Sequence, residues 1–348
     1  MGRAEGEGRR SAGETAPPVP QLALGHLARR RVAAIIGPTA VGKTALALDV
    51  AKRIDAEIIS VDSRQVYRYM DVGTDKATPD MRRDVPHHLI DVADPDEPFS
   101  VSTFVDMALA AARRIWARGR EALFVGGTPF YHHALFSGSM NASLPHDAEV
   151  RRRWEALAAS EGPVALHERL RSVDPASAER LHPNDVFRVS RALELWELTG
   201  VPPSRLWAEG EKRDTGLDVL YVGLTRPRED LFARIERRLA EEIASGFPEE
   251  VAWLIAHGFD ERFAPMRGLG YRELAAHHRG QLTLEEASAG AVARTKAFAR
   301  RQMTWAKRSR PSLWYDVSAV SPARLADDVT RAIVGWLEGR GPEEADAP

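Results

Sequence analysis

The chain has 348 residues, of which 44% are hydrophobic and 28% charged, and its formal net charge is −2, all ordinary for a globular protein. No apolar run approaches the roughly 18 residues that a membrane helix needs. The absence of cysteine excludes disulfides, thiol catalysis and cysteine-based zinc sites. We therefore expect a cytoplasmic protein with no membrane partner.

The two ends differ in composition from the rest of the chain. Residues 1–31 begin with MGRAEGEGRRSAGETAPPVP, which lacks the apolar core of a secretory signal and predicts a disordered extension. Residues 339–348 predict a disordered tail in the same way. Between them we predict a phosphate-loop α/β core with C-terminal helices (32–140 and 190–316), a helical insertion subdomain (141–189) and a C-terminal helix (317–338).

A phosphate-binding loop follows the first strand candidate, residues 32–36. The stretch GPTAVGKT places a glycine, four residues and then Gly-Lys-Thr, a spacing that turns backbone N–H groups toward anionic oxygens at the start of a helix. Lys43 adds a mobile positive charge, and the Thr44 hydroxyl suits Mg²⁺. The loop predicts a phosphorylated ligand and a Mg²⁺ cofactor, held by Gly37, Pro38, Thr39, Ala40, Val41, Gly42, Lys43 and Thr44.

Short apolar runs alternate with helical patterns along the rest of the core. The further strand candidates are residues 57–61, 122–125 and 219–223, and the helical patterns are 43–54, 103–117, 228–245 and 248–257. This alternation predicts a doubly wound parallel sheet of the P-loop NTPase type. The stretch 145–196 has only helical patterns, which is why an insertion is predicted there.

Asp62 stands at the end of the second strand candidate, where parallel-sheet proteins bind their ligands. It could also cap the following turn. The third strand candidate ends in Gly126 and Gly127, where a motor-type ATPase carries a magnesium-orienting acid. Two glycines there permit close approach of a bulky ligand or of another backbone segment. The pattern favours a transferase with Asp62 as a single general base.

Residues 294–310, RTKAFARRQMTWAKRSR, carry seven basic residues and no acidic one. On a helix, Phe298 and Trp305 would form an apolar stripe between the cations. The stretch predicts either a solvated helix with its aromatics in the core or a helix that binds nucleic-acid phosphates.

Seven stretches, in this order and rough spacing, resemble the tRNA dimethylallyltransferase family, also called tRNA isopentenyltransferases. They are GPTAVGKT, SVDSRQVYRYMDVGTDKAT, VPHHLIDVADPDEPFSVSTF, FVGGTPFYHHAL, LHPNDVFRVSRALEL, RGLGYRE and ARRQMTWAKR, and they span roughly residues 32–316. The cysteine-containing zinc module of eukaryotic relatives is absent, so the resemblance is to the bacterial type.

The resemblance implies a defined reaction. The family transfers a dimethylallyl group from dimethylallyl diphosphate to N6 of the adenosine just 3′ of the anticodon (position 37 of the tRNA), which gives N6-isopentenyladenosine. The phosphate loop then holds the diphosphate of this donor rather than ATP, and Mg²⁺ assists its departure. The implied partners are dimethylallyl diphosphate and the anticodon stem-loop of tRNA, and we expect a monomer.

The resemblance also implies residue roles. Asp62, Thr44 and Arg234 match catalytic positions: Asp62 as general base, Thr44 on Mg²⁺ and Arg234 at the diphosphate, with Arg238 able to assist. The stretch 294–310 is then favoured as an anticodon-stem phosphate site. Positions that hold tRNA in the family correspond to Asp62, Ser63, Arg64, Gln65, Thr128, Arg151, Phe187, Arg188, Val189, Ser190, Arg191, Arg267, Gly268, Leu269, Gly270, Tyr271 and Arg272. Because the adenine must leave its stack, a channel entered from opposite sides by base and diphosphate is expected.

Three other functions remain open from the residues alone. An adenylate isopentenyltransferase would use the same diphosphate site with a free nucleotide as acceptor. A small-molecule kinase would bind ATP in the loop, and a non-enzymatic RNA-binding protein would leave the phosphate loop without a role.

Overall fold

The computed structural model describes residues 29–138, 144–209, 214–309 and 312–341. At its centre lies a six-stranded sheet whose neighbours all pair in parallel, in the order β3-β2-β4-β1-β5-β6. The strands are β1 (Arg30–Ile36), β2 (Ala56–Ser60), β3 (His87–His88), β4 (Glu121–Gly126), β5 (Leu217–Thr225) and β6 (Leu313–Asp316). The predicted parallel α/β fold is confirmed.

The four strands predicted from the sequence are β1, β2, β4 and β5, and the two strands that it missed are the edges. β3 has two residues and β6 has four, too short for a periodic pattern to be recognised. β1 begins at Arg30, so Arg30 and Arg31 are strand residues although the predicted extension included them. Residues 1–28 and 342–348, the rest of the predicted extension and most of the predicted tail, lie outside the described residues.

Fourteen helices are assigned within the described residues. They are α1 (Lys43–Arg53), α2 (Pro79–Asp84), α3 (Val101–Ala117), α4 (Pro129–Ser137), α5 (Ala148–Glu161), α6 (Pro163–Val173), α7 (Pro175–Arg180), α8 (Val186–Thr199), α9 (Pro203–Glu209), α10 (Arg228–Ala244), α11 (Phe247–Ala256), α12 (Tyr271–His278), α13 (Leu284–Arg308) and α14 (Pro322–Leu337). In this part of the chain, no helix combines the length and the apolar composition needed to cross a bilayer.

The central strand β1 is buried on both faces, which explains its continuous apolar sequence. Ala33 and Ile35 face a layer that contains α1 and α14, whereas Val32, Ala34 and Ile36 face a layer that contains α3 and α4. The sheet is therefore doubly wound, with helices on both faces.

Helices α5 to α9 follow β4 and precede β5, and we call them the helical segment. Its buried side chains, Leu166, Leu170, Val189 and Leu193 among them, form a hydrophobic cluster of their own. The helices continue to Glu209, past the predicted boundary at residue 189.

A further cluster joins α11, α12 and α13 to the loop that follows β2. Met70, Phe247, Val251, Tyr271 and Leu274 are its buried members. This packing brings the Arg-Gly-Leu-Gly-Tyr stretch and the basic helix α13 to the carboxyl end of the sheet, beside the phosphate loop.

Candidate active site

The phosphate loop curves through three residues with positive φ: Gly37 at 154°, Ala40 at 63° and Gly42 at 112°. At Gly37 a Cβ atom would lie 2.8 Å from the Leu224 carbonyl oxygen, so a side chain there has no room. Gly42 then leads directly into α1. The sequence therefore builds a tight loop at a helix N-terminus, a geometry suited to binding phosphate groups.

Lys43 lies folded onto its own loop. Its Nζ donates to the carbonyl oxygens of Gly37 (3.1 Å) and Pro38 (2.8 Å). Burial lowers the pKa of Lys43 to about 8, an effect that the nearby Asp62 carboxylate partly opposes. The site thus holds a cation whose charge an incoming anion would stabilise.

A cavity of about 500 Å³ opens over this loop, and we call it the loop cavity. Cations outnumber carboxylates on its wall, where Lys43, Lys76, Arg234, Arg237 and Arg238 stand against Asp62, Asp75 and Glu241. Thr44 lines it as well. A small ligand that carries several negative charges fits this arrangement.

A second cavity, of about 280 Å³, adjoins the first, and we call it the α13 cavity because Arg294, Phe298 and Gln302 of that helix line it. The two cavities share wall residues and therefore meet. The shared residues are Thr39, Lys43, Asp62, Thr74 and Arg238. A reacting group in either cavity can thus reach the same carboxylate and the same lysine.

Asp62 caps a turn, and its side chain also borders the two cavities. Its Oδ1 accepts hydrogen bonds from the backbone N–H groups of Arg64 (2.8 Å) and Gln65 (3.4 Å), which caps the turn after β2. The carboxylate nevertheless lines both cavities. The turn therefore fixes one oxygen atom while the carboxylate remains accessible from either side.

Gly126, the last residue of β4, and Gly127, which follows it, both lie too close to neighbouring protein atoms to carry a side chain. A Cβ at Gly126 would lie 2.1 Å from the Val61 carbonyl oxygen, and one at Gly127 would lie 2.5 Å from Nε2 of Gln302. Of the two uses that the sequence left open, the structure therefore supports contact with neighbouring protein atoms. This contact holds the end of β4 against the residue before Asp62.

Arginines of α10 and of the segment before it hold the phosphate loop from outside. Arg234 Nε donates to the Ala40 carbonyl oxygen at 3.0 Å, and Arg226 Nε donates to that of Val41 at 3.0 Å. Arg238 pairs with Asp75 at 3.2 Å and with Glu242 at 3.1 Å. The sequence pointed to Arg234 and Arg238 but missed Arg226 and Arg237, because single arginines in a helical pattern carry no signal of their own.

Eight of the residues predicted to contact tRNA line the α13 cavity: Asp62, Ser63, Arg64, Thr128, Arg267, Gly268, Leu269 and Gly270. The N–H of Ser63 donates to Thr128 Oγ1 at 3.0 Å, which joins the ends of β2 and β4. Arg64 donates from Nη2 to the Pro265 carbonyl oxygen at 3.0 Å and lies over the Tyr271 ring. The Arg64 guanidinium lies against Gly268, where a Cβ would displace it.

The other predicted tRNA positions lie elsewhere. Gln65 lines the loop cavity, Arg272 is exposed, and Tyr271 is completely buried. In the helical segment, Arg151 packs at 4.1 Å on the ring of Phe187, which is 67% exposed. The remaining positions of that segment differ in exposure: Arg188 is exposed, Arg191 pairs with Glu194, and Val189 and Ser190 are completely buried. The side chains of Tyr271, Val189 and Ser190 are therefore not at the protein surface.

Glu250 is a site-forming residue that sequence reasoning missed. Its Oε2 accepts from the N–H groups of Asp71 and Val72, both at 2.7 Å, and its Oε1 accepts from the Gly73 N–H at 3.2 Å and the Tyr271 hydroxyl at 2.6 Å. It thereby holds the loop that brings Thr74 into both cavities. A glutamate in a helical pattern gives no sign of such a distant contact.

The basic helix α13 has two kinds of cation. Arg294 pairs with Glu273 and Lys296 with Glu236. Arg300, Arg301, Lys307 and Arg308 are exposed and form no ion pair within the described residues, whereas Arg310 lies outside them. Phe298 lines the α13 cavity rather than the core, and Trp305 packs 5.6 Å from the His132 ring.

Comparisons with known proteins agree on one family. A family model described as IPP transferase matches residues 65–309, and one described as isopentenyl transferase matches residues 30–85. The chain is 42% identical over 310 residues to the tRNA dimethylallyltransferase of Dictyoglomus turgidum, with 89% of this chain and 94% of that protein covered. It is 45% identical over 302 residues to that of Symbiobacterium thermophilum, with 86% and 93% covered.

Solved structures show the same likeness. The full-length tRNA isopentenylpyrophosphate transferase of Bacillus halodurans is 37% identical, with a TM-score of 0.66 and coverage of 89% of this chain and 97% of that one. A eukaryotic dimethylallyltransferase described as acting on tRNA is 25% identical, with a TM-score of 0.73 and coverage of 92% and 82%. The family to which the sequence motifs pointed is thereby confirmed.

Proposed function

Since the chain belongs to the tRNA dimethylallyltransferase family of prenyl-transferring enzymes, we propose that it moves a dimethylallyl group from dimethylallyl diphosphate to N6 of the adenosine just 3′ of the anticodon. The observation that carries this proposal is the meeting of two cavities at Asp62 and Lys43. One cavity has the charge that a diphosphate needs, and the other offers a separate approach for the acceptor base.

The diphosphate occupies the loop cavity. As the allylic C–O bond breaks, negative charge accumulates on the departing diphosphate. Lys43, Arg234 and Arg238 stabilise that charge together with the N–H groups at the start of α1. Lys43 Nζ donates to two carbonyl oxygens, and an ammonium group has a third N–H to donate to the diphosphate.

Asp62 receives the proton. Adenine N6 is a weak nucleophile, and its amino group becomes more acidic as the new C–N bond forms. The Asp62 carboxylate faces both cavities, so it is available to N6 at the point where the allylic carbon arrives. The proton passes from N6 to this carboxylate, and the product is a neutral secondary amine.

The residues present suit a Mg²⁺ ion. Thr44 lines the loop cavity with a hard oxygen donor, and no cluster of three metal-ligating side chains is found in the described ranges. Mg²⁺ characteristically takes few protein ligands and completes its shell with substrate phosphates and water. We therefore assign the ion to Thr44 and the diphosphate, where the chemistry that it supplies when bound is neutralisation of the leaving group's charge.

The acceptor approaches through the α13 cavity. An adenine turned out of the anticodon loop enters beside Ser63, Arg64 and Thr128, while Arg267 and the glycines after it border the same opening. The exposed, unpaired cations of α13 then contact RNA phosphates. Arg151 and Phe187 offer a cation and an open aromatic face on the helical segment.

Both cavities lie within one chain, so we propose a monomer acting in the cytoplasm, where tRNA is modified.

The test is transfer itself. The protein is incubated with radiolabelled dimethylallyl diphosphate, Mg²⁺ and unmodified tRNA, and the RNA is digested and analysed for N6-isopentenyladenosine. AMP replaces tRNA in a parallel reaction, and radiolabelled ATP replaces the donor in another. Label on AMP but not on tRNA, or phosphoryl transfer from ATP, would contradict the proposal.

Asp62→Asn tests the base. The variant keeps an oxygen atom for the Arg64 N–H and so retains the turn. We expect single-turnover transfer to slow by about 10²–10⁴-fold, because a positioned base contributes that much. Binding of inorganic diphosphate and of tRNA should be retained, since asparagine has the shape of aspartate. Near-normal transfer would remove Asp62 from the mechanism.

A further inference from the structure

Gln302 on α13 joins the phosphate loop to the end of β4. The side chain is buried, and its Oε1 accepts from the N–H of Thr39 at 2.9 Å. Its Nε2 donates to the carbonyl oxygen of Gly127 at 2.7 Å. The amide oxygen therefore accepts from a backbone N–H, and the amide nitrogen donates to a backbone carbonyl. The absence of a side chain at Gly127 leaves room for the second of these bonds.

The bond to Thr39 fixes a whole peptide unit. The Thr39 N–H and the Pro38 carbonyl belong to the same planar peptide group, so orienting one orients the other. That Pro38 carbonyl is the closer of the two acceptors of Lys43 Nζ, at 2.8 Å. Gln302 thus determines, through one rigid peptide, where the lysine ammonium group lies in the free site.

Thr39 is also a wall residue of both cavities. If its peptide turned, the Pro38 carbonyl would leave Lys43, and the Thr39 N–H would leave Gln302. A buried amide with both ends bonded prevents this rotation, because turning the peptide would leave polar groups without partners inside the protein.

We propose that Gln302 is a positioning residue for diphosphate activation, acting through the Pro38–Thr39 peptide on Lys43. This inference rests on the proposed function for its substrate, although the contact itself is independent of which acceptor is used. It predicts that loss of the amide weakens diphosphate binding and slows transfer, while tRNA affinity is unchanged.

Two variants test the proposal with the full chain. Gln302→Met keeps the length and apolar volume but removes both hydrogen bonds. Gln302→Glu keeps an acceptor for Thr39, yet it can donate to Gly127 only when the carboxyl is protonated. Gln281→Met, at an exposed glutamine before α13, is the matched control. Thermal unfolding verifies that each variant folds.

We expect Gln302→Met to bind inorganic diphosphate about tenfold more weakly than the parent and to lower kcat for transfer, with tRNA affinity unchanged. Gln302→Glu should recover diphosphate affinity, relative to the parent at the same pH, as pH falls from 8 to 6. Gln281→Met should behave as the parent. A purely structural role for the amide would weaken the binding of both substrates, whereas a positioning role weakens diphosphate binding alone.

Parent-like diphosphate binding by Gln302→Met, or an equal loss of tRNA affinity, would overturn the proposal. If Gln302→Met does not fold, the pH series of Gln302→Glu decides: recovery supports positioning, and a flat profile contradicts it. Failure of the parent to modify tRNA would count against the proposed function alone, because the diphosphate binding comparison needs no acceptor.

Discussion

At the scale of single residues, Lys43 has the most informative environment. Its ammonium group donates to two carbonyl oxygens and lies largely out of solvent. The charged form therefore carries a desolvation cost in free energy, which a bound anion would offset. Burial accordingly lowers its pKa to about 8. Because a bound diphosphate favours the charged form, binding above this pH must be accompanied by proton uptake.

We therefore expect affinity for inorganic diphosphate to fall as pH rises through 8. The pKa in the free protein lies below the ordinary value of 10.5, so the neutral form dominates above 8 and must be protonated at a cost of up to about tenfold per pH unit. Calorimetric titrations at pH 7, 8 and 9 measure this dependence. Lys43→Arg, always charged, should show only the pH dependence of the diphosphate itself, and identical profiles for parent and variant would show that Lys43 does not carry the effect.

The residues that were predictable from the sequence are those whose signal is local. The phosphate loop and Asp62 follow strands directly, so spacing along the chain was sufficient. Gln302 and Glu250 depend on contacts across 263 and 178 residues, and such contacts exist only after the helices have packed. Tyr271 is a second example of a contact that the sequence does not reveal. The motif predicted that it lies at the RNA, but packing buries its side chain completely and directs its hydroxyl to Glu250.

At the scale of one element, α13 combines several roles along 25 residues. Its N-terminus is capped by Thr283 and Glu286, its middle lines the α13 cavity through Arg294 and Phe298, and Gln302 contacts the phosphate loop. The exposed cations lie near its C-terminal end. Some cations of the basic stretch are paired and others are open to solvent, so phosphate binding by the exposed ones stays a prediction.

Replacing Arg300, Lys307 and Arg308 with glutamine should weaken tRNA binding and leave folding nearly unchanged. Each lost phosphate contact lowers the slope of log affinity against log salt by somewhat under one unit. Loss of an exposed charge usually alters stability by no more than about 0.5 kcal/mol. Arg113, Arg114 and Arg324, exposed on α3 and α14, form a control triple of equal charge change. Equal affinities and parallel salt plots for parent and variant would exclude a phosphate role for these cations.

At the scale of the whole molecule, the apolar interior is divided. The sheet has one hydrophobic cluster on each face, and the helical segment has its own, around Leu166 and Leu170. The residues proposed to bind diphosphate lie on elements that pack on the sheet, whereas Arg151 and Phe187 lie on the helical segment. A substitution that disrupts the cluster of the helical segment should therefore weaken tRNA binding more than diphosphate binding. A substitution that disrupts a cluster on the sheet should do the reverse.

Leu170→Ala tests this division. Leu170 is completely buried in the helical segment. Truncation of such a leucine typically lowers the free energy of unfolding by about 2–5 kcal/mol. We expect weaker tRNA binding with unchanged affinity for inorganic diphosphate, both measured by equilibrium binding. Val164→Ala, 61% exposed on the same helix, is the control that should change neither. A matching loss of diphosphate affinity in Leu170→Ala would show that the two clusters are not separable.

The junction of the two cavities has a consequence for how such an enzyme diversifies. On the proposed function, donor and acceptor are recognised by largely separate walls, so mutation can alter the repertoire of tRNAs without disturbing the isoprenoid, and the reverse. Thr39, Lys43, Asp62, Thr74 and Arg238 are the exceptions, because they line both spaces. A substitution at any of these five positions would affect the recognition of both substrates. Sequence change in the family should therefore be more restricted at these positions than at residues that line only one cavity.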